Sequence, residues 1–492
     1  AELTGRGGVL TSEHPTDGGT PGIPPGAFFI GGWRGRRVVL PPMDAARHGV
    51  IVGGSGTGKS RGYFLPNAIY CRGSSSLVCT DPKSELWRFT SGFHRNPVRF
   101  APGEPQASAA FNWIPLCREP RVSELCARAI VESGNTGSTE QAWLDVEAAF
   151  LAGLFSHAST LREPTPLSAY RLFTRQPIES LIDTLLDSPS EAAREQGLVF
   201  SQTQERMRGS IVPVVAAKLQ FLRDPAVARF TSASLEAPRF EDLRRSPGAL
   251  YWCLKEQDIS RLRPLTSLFF SLLLERLAQG DEDGGGIPVM MLLDEFANIG
   301  TIPSFETTIS LARGRGVSLW LGIQSLSQLE SRYGKANAQT ILANCATKIA
   351  LSGLDVESAD YFSRSLGEAT TKTGKTSRHG LINSTVTLST DEHSRRLLTS
   401  DEVRRIDSDK AVAIVGNRRP MLLDKHFYSG EPRTAKTSTL GRAMASHVEY
   451  RHEGKERQSP PPMPDGLRER ETSRGRKGCK KDAFSRPKTA RV

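Results

Sequence analysis

His48-Gly49-Val50-Ile51-Val52-Gly53-Gly54-Ser55-Gly56-Thr57-Gly58-Lys59-Ser60 is the stretch on which the reading of this chain turns. A glycine, four residues and then Gly-Lys-Ser follow an apolar run, and a helix-compatible segment continues to Tyr70. Val50 to Val52 have the character of a buried parallel strand. Gly53, Gly54, Ser55, Gly56, Thr57 and Gly58 let the backbone curl so that its N–H groups converge in one nest at a helix start, where nucleotide phosphates bind. Lys59 is expected to reach the β- and γ-phosphates and Ser60 to ligate Mg²⁺. Glycine is common here, with 45 residues, so a glycine-rich turn with a chance lysine is the bland alternative. The flanking strand and helix patterns favour the P-loop.

A P-loop calls for a second strand that ends in acid. Val289 to Leu293 are continuously apolar and lead into Asp294-Glu295. Asp294 is expected in the Mg²⁺ shell, and Glu295 beside the γ-phosphate, polarising the attacking water. Hydrolysis needs that second carboxylate, whereas nucleotide binding alone does not. Glu85 is the next candidate for the base. ATP and Mg²⁺ are the cofactors implied.

The 492 residues suit two to three domains, and 38% hydrophobic content supports sizeable cores. The net charge of +11 is unevenly spread: residues 431–492 hold 16 Lys/Arg against 8 Asp/Glu. That end reads as a basic, disordered tail, either solvated or meeting a polyanion. Seven cysteines without a C-x-x-C pair read as reduced and cytosolic. The nine histidines show no ligand spacing. No run of eighteen apolar residues occurs; the longest candidate, Leu265 to Leu277, is interrupted by Glu275-Arg276.

The chain divides by pattern. Residues 1–27 read as a flexible lead-in. Residues 28–117 form the first part of the nucleotide-binding domain, with a hairpin at 28–40, the P-loop unit, and strands at Ser75–Asp81 and Val98–Phe100. Strand signals vanish over 118–238, where helical periodicity predicts an inserted all-α domain. Residues 239–430 complete the nucleotide domain, through strands at Ala249–Leu254, at Val289–Leu293, at Val317–Ile323, before Leu351 and at Val412–Val415. Residues 368–392 are polar and read as a mobile loop, and Gly374-Lys375-Thr376 within them lacks both the strand and the glycine of a second P-loop. Thr399 with Glu402 predicts a capping box.

These residues, in this order, resemble the coupling-protein ATPases of type IV secretion and bacterial conjugation, the VirD4/TraG/TraD group. The resemblance covers roughly residues 30–428. It rests on the P-loop with His48 before it and Leu65-Pro66-Asn67 after it, and on Asp81-Pro-Lys-Ser-Glu85, where the family usually has glycine in place of Ser84. Phe111-Asn112, Leu293-Asp294-Glu295-Phe-Ala-Asn298-Ile-Gly300 and Arg313-Gly-Arg315-Gly316 extend it. Gln324-Ser-Leu-Ser-Gln328-Leu329, Asn344-Cys345 and Leu397-Leu-Thr-Ser-Asp-Glu402 complete it. It implies a RecA-like P-loop α/β domain with an all-α insertion, assembling as a homohexamer. Gln324 would sense the γ-phosphate, and Arg313 or Arg315 would reach a neighbour's nucleotide as an arginine finger. The implied partners are single-stranded DNA bound to a relaxase within its relaxosome, or protein effectors, together with secretion-channel proteins of the inner membrane. The implied location is the cytoplasmic face of that membrane. Family members usually begin with transmembrane helices and none is present here, so an anchor is expected upstream of Ala1 or from a partner. Two other readings use the same motifs: a duplex-DNA translocase of the FtsK-like motor class, and a docking platform whose ATPase is silent.

Overall fold

The computed structural model describes residues 10–12, 23–134, 140–232, 239–279, 285–379 and 385–426. The basic tail expected from residue 431, and most of the lead-in, lie outside these residues. The strands are β1 (Leu10–Ser12), β2 (Phe28–Trp33), β3 (Arg36–Leu40), β4 (Gly49–Val52), β5 (Ser76–Thr80), β6 (Pro97–Phe100), β7 (Ala249–Trp252), β8 (Val289–Leu293), β9 (Val317–Ile323), β10 (Thr347–Ala350), β11 (Glu368–His379), β12 (Thr385–Arg396), β13 (Lys410–Val415) and β14 (Met421–Asp424). Twelve of them form one sheet in the order β1-β3-β2-β14-β13-β10-β4-β9-β8-β5-β7-β6. From β10 to β6 every pairing is parallel. From β13 to β1 every pairing is antiparallel. The hairpin β2–β3, expected to pack on the nucleotide domain, is built into the sheet itself through β14, Asp424 pairing with Gly32.

Alternation explains why the parallel strands are apolar without a break. Val50 and Val52 enter the core on one face and Ile51 the core on the other; Met291 and Leu293 oppose Met290 and Leu292 in the same way. The core on one face gathers the helix Leu65–Tyr70 and side chains of β2 and β3. The other face runs without interruption into the helices between Pro120 and Ser232, around Phe111, Trp113, Phe155, Trp252 and Phe269. The Leu265–Leu277 run lies in the helix Arg263–Ala278, whose apolar residues are buried on all sides because it is wedged between the sheet and the helix Pro120–Glu132. No helix among the described residues is long and apolar enough to cross a membrane.

One expectation is corrected. Residues 368–392 are not a loop: β11 and β12 pair antiparallel from Glu368↔Arg396 to His379↔Thr385. Their sequence carries no core alternation, so hydrophobic patterning is silent. The signal is the repeated threonine, whose branched Cβ favours extended backbone. Gly374-Lys375-Thr376 therefore lies within a strand, with Gly374 opposite Thr390. Within residues 118–238, which are helical as expected among the described residues, the helices Pro166–Thr174 and Pro225–Ser232 each open on proline, where the missing N–H costs nothing. The capping box at Thr399–Glu402 is present with both of its hydrogen bonds.

Candidate functional site

Ligands of open α/β sheets collect at the carboxyl ends of the parallel strands. Here β4 delivers the P-loop, β9 delivers Gln324, β8 delivers Asp294-Glu295 and β5 delivers Asp81, on four successive strands. Adjacent strands stand about 4.8 Å apart, so these groups form a row of roughly 15 Å, matched to a triphosphate and its attacking water. Above the row opens a cleft of about 740 Å³ walled by Gly54, Lys59, Ser60, Asp294, Glu295 and Gln324, among others.

The loop is held before any ligand arrives. Gly53 N–H donates to the carbonyl of Ile323 (3.1 Å), continuing the ladder past the strand end. A Cβ on Gly53 would stand 2.7 Å from Thr57 Oγ1 and 2.8 Å from Leu351 Cβ, so only glycine fits there. Gly56 and Gly58 turn the chain at φ 77° and 96°. Lys425, beyond the end of β14, donates its ammonium to the carbonyl of Thr57 (2.9 Å). The helix that follows opens with a π-turn, Ser60–Phe64, before continuing as Leu65–Tyr70.

Lys59 is buried, and its Nζ donates to the carbonyls of Gly53 (2.6 Å) and Gly54 (3.2 Å) and lies 3.8 Å from Glu295 Oε1. A phosphate can replace all three. Ser60 Oγ donates to Asp294 Oδ2. Asp294 Oδ1 accepts the N–H of Glu295 (3.0 Å), and Thr80 Oγ1 donates to the Asp294 carbonyl (2.7 Å). Burial raises the Asp294 pKa, and the Glu295 charge adds to this, while Ser60 and Lys59 oppose it. A hydroxyl and a carboxylate side by side are hard oxygen donors fitted to Mg²⁺, which keeps most of its ligands as water and phosphate. Among the described residues no group of three or more His, Cys, Asp or Glu gathers into a metal site.

Glu295 sits at φ 52°. That left-handed backbone costs about 1 kcal/mol or more in a non-glycine residue and turns the carboxylate over the cleft. Its Oε2 accepts from Gln324 Nε2 at 2.9 Å, and Gln324 is held in turn through Gln328. Lys59, Glu295 and Gln324, named from sequence on three separate motifs, are thus brought together.

Asp81 is buried at the tip of β5 and accepts the N–H of Trp87 (2.7 Å). Burial lifts its pKa to about 6 against the pull of that and neighbouring backbone N–H groups. Glu85 walls the same cleft, farther from the P-loop strand.

Arg313 and Arg315 are not brought into the cleft. They close the helix Phe305–Gly314 and precede β9 at its amino end, whereas Gln324 follows its carboxyl end. Seven residues of strand separate the two ends, roughly 23 Å. Arg313 acts instead on His48, the residue entering β4 from below. Two cleft contacts escaped motif reading, Lys425 on the P-loop carbonyl and Arg263 on the cleft wall. Both arrive from segments distant in sequence, and no spacing rule marks them.

A family model described as Type IV secretory system Conjugative DNA transfer matches residues 7–449. Conjugal transfer protein TraG of Escherichia coli is 27% identical over 456 residues, covering 82% of this chain and 68% of that protein. Protein VirD4 of Rhizobium radiobacter is 26% identical over 416 residues, covering 78% of this chain and 57% of that protein. Among solved structures, the bacterial conjugative coupling protein TrwBdeltaN70 in its unbound monoclinic form matches with TM-score 0.66 at 19% identity, over 80% of this chain and 89% of that one. Plasmid coupling protein TrwB in complex with ADP and Mg²⁺ matches with TM-score 0.65 at 20% identity, over 85% and 97% of the two chains. At such identity the structural likeness speaks for the fold. The chain spans 57% to 68% of the length of the two curated relatives.

Proposed function

The chain belongs to the type IV secretory system conjugative DNA-transfer family, and from that premise we propose that it is an ATP-hydrolysing coupling protein. It recruits relaxase-bound single-stranded DNA, or protein effectors, to a secretion channel at the cytoplasmic face of the inner membrane. The observation that carries the ATPase reading is the juxtaposition at the tips of β4, β9 and β8. Lys59 stands 3.8 Å from Glu295, Gln324 is hydrogen-bonded to the same carboxylate, and Ser60 is bonded to Asp294. The solved TrwB complex with ADP and Mg²⁺ supports the choice of ligands.

In this reading the P-loop N–H groups and Lys59 receive the phosphates, and Ser60 and Asp294 hold Mg²⁺, which supplies charge neutralisation on the β- and γ-oxygens. Glu295 orients the attacking water and accepts its proton. Gln324 fixes the Glu295 carboxylate and lies where it can register the γ-phosphate. Arg313 and Arg315, a strand's length from their own cleft, meet a nucleotide only across an interface of a ring, which we take to be a homohexamer.

ATP turnover by the purified protein, with and without single-stranded DNA, is the test. The expected outcome is Lys59-dependent hydrolysis that single-stranded DNA stimulates, with Lys59→Ala binding nucleotide weakly and hydrolysing none. Stimulation by duplex DNA alone would favour a duplex translocase. ATP binding without turnover would favour a silent docking platform.

A further inference from the structure

Arg263 is a charged cleft residue that takes no part in the proposed hydrolysis. It opens the helix Arg263–Ala278 and walls the same cleft as Lys59 and Glu295, from the side of β7 rather than of the P-loop. Its Nε is buried without a hydrogen-bond partner, and so are Nε and Nη1 of Arg332. Among the described residues neither guanidinium makes an ion pair. The other cations of this wall are differently placed: Lys83 faces Glu256 at 3.8 Å, and Arg61 is exposed to water. Burial, and then the Arg332 charge, push the Arg263 pKa below the usual guanidinium value. A buried N–H of a charged group with no acceptor is costly, because its lost hydration is not replaced. Two such groups acting on each other call for an anion.

The direction of Arg263 is imposed. Gly300 follows the Asp294-Glu295 turn at φ 99°, and a Cβ there would stand 2.6 Å from Arg263 Cγ and 3.1 Å from the carbonyl of Ser133. Glycine therefore lets the arginine stem lie across the loop that carries Glu295. Arg263 also borders a second cavity, of about 270 Å³, beside Ser133 and Lys218 of the helical insertion. The first turn of a 16-residue helix adds the positive end of its dipole.

We propose that Arg263 contacts the terminal phosphate of the bound nucleotide from within the same chain, on the side facing Lys59 and beyond Glu295, with Arg332 reinforcing the positive field behind it. This rests on the ATPase reading above and adds to it a phosphate-binding residue in cis, which also touches the insertion. A guanidinium suits the role because its fork can bind two phosphate oxygens at once.

The test uses the full chain and compares ADP with the non-hydrolysable analogue ADPNP. Arg263→Gln is expected to weaken ADPNP binding about ten- to hundred-fold, the range of a charged hydrogen bond, while ADP binding stays unchanged. Arg263→Lys should recover part of the loss and guards against a folding defect in the glutamine variant. In mixtures with Lys59→Ala protein, Arg263→Gln should regain no activity, because both groups must serve one nucleotide from one chain. Unchanged ADPNP affinity, an equal loss for ADP and ADPNP, or recovery in the mixture would overturn the proposal. Loss of single-stranded DNA binding with ADPNP affinity intact would also overturn it, assigning the pair to a nucleic-acid phosphate. If the unmutated protein itself binds no ADPNP, the ATPase reading fails; if it binds and Arg263→Gln binds equally well, only the role of Arg263 fails.

Discussion

Glu295 carries two demands at one position. Its backbone sits in the left-handed region, where a side chain is tolerated at some energetic cost, and its carboxylate is shared between Lys59 and Gln324. A residue that served only to cap β8 would need neither. Glu295→Gln keeps an acceptor for Gln324 but cannot take a proton. The variant is expected to bind ATP and to hydrolyse it slower by two orders of magnitude or more, roughly, read as retained nucleotide binding with single-turnover hydrolysis lost. Near-normal turnover would move the base to another group, Glu85 first. Ser84 shows the same backbone logic: it sits at φ 52°, a conformation that glycine would reach at little cost.

At the scale of elements, the phosphate end of the sheet depends on how β4, β9 and the helix Phe305–Gly314 are locked at the opposite end. His48 does this. Its Nδ1 accepts the N–H of Leu319 (3.1 Å), and its Nε2 lies 2.7 Å from the carbonyl of Ile309, which puts the proton on Nε2. One residue later, a Cβ on Gly49 would stand 2.3 Å from the Trp320 ring, so glycine lets that ring close over the strand and stack on Phe28. Burial lowers the His48 pKa to about 4, and the Arg313 charge acts in the same direction. The folded state therefore holds the ring neutral while the unfolded chain takes up a proton near the ordinary imidazole value of 6.5. The contribution is intact above that value and is lost as pH falls from it towards about 4, on the order of 3 kcal/mol in all. Urea midpoints taken across this window should fall less steeply for His48→Gln than for the unmutated protein. His94, also held near 4 by burial, is present in both proteins and drops out of the comparison.

At the scale of the whole molecule, the amino and carboxyl ends of the parallel strands face different requirements. The carboxyl ends frame the candidate nucleotide cleft; the amino ends carry Arg313 and Arg315, about a strand's length away. If a ring brings those arginines to a neighbour's phosphates, activity per subunit rises with protein concentration. Arg313→Ala then keeps ATP affinity and loses hydrolysis. Its mixture with Lys59→Ala regains part of the activity, since some interfaces pair an intact P-loop with an intact arginine. Steady-state ATPase rates of co-assembled mixtures decide this. No recovery would count against action in trans, and Arg315→Ala run alongside tells the two arginines apart.

Local rules sufficed where the determinant is local. The P-loop glycines, Lys59-Ser60, the apolar strand before Asp294-Glu295 and the Thr399 capping box are each written in a short run of residues, and each was legible from spacing alone. The order of strands was not, because β9 slides between β4 and β8 only through long-range pairing, and that placement is what hydrogen-bonds Gln324 to Glu295. The hairpin β11–β12 escaped because its two strands lack the apolar alternation that patterning reads. Arg263 and Lys425 escaped for a further reason: neither lies in a motif, and each is more than two hundred residues in sequence from the P-loop beside which the fold places it. Sequence alone determined the chemistry available at each strand tip. Tertiary structure alone decided which tips stand side by side, since a buried lysine is stable beside a half-buried carboxylate and amide only when the packed sheet holds them within ion-pair and hydrogen-bonding range.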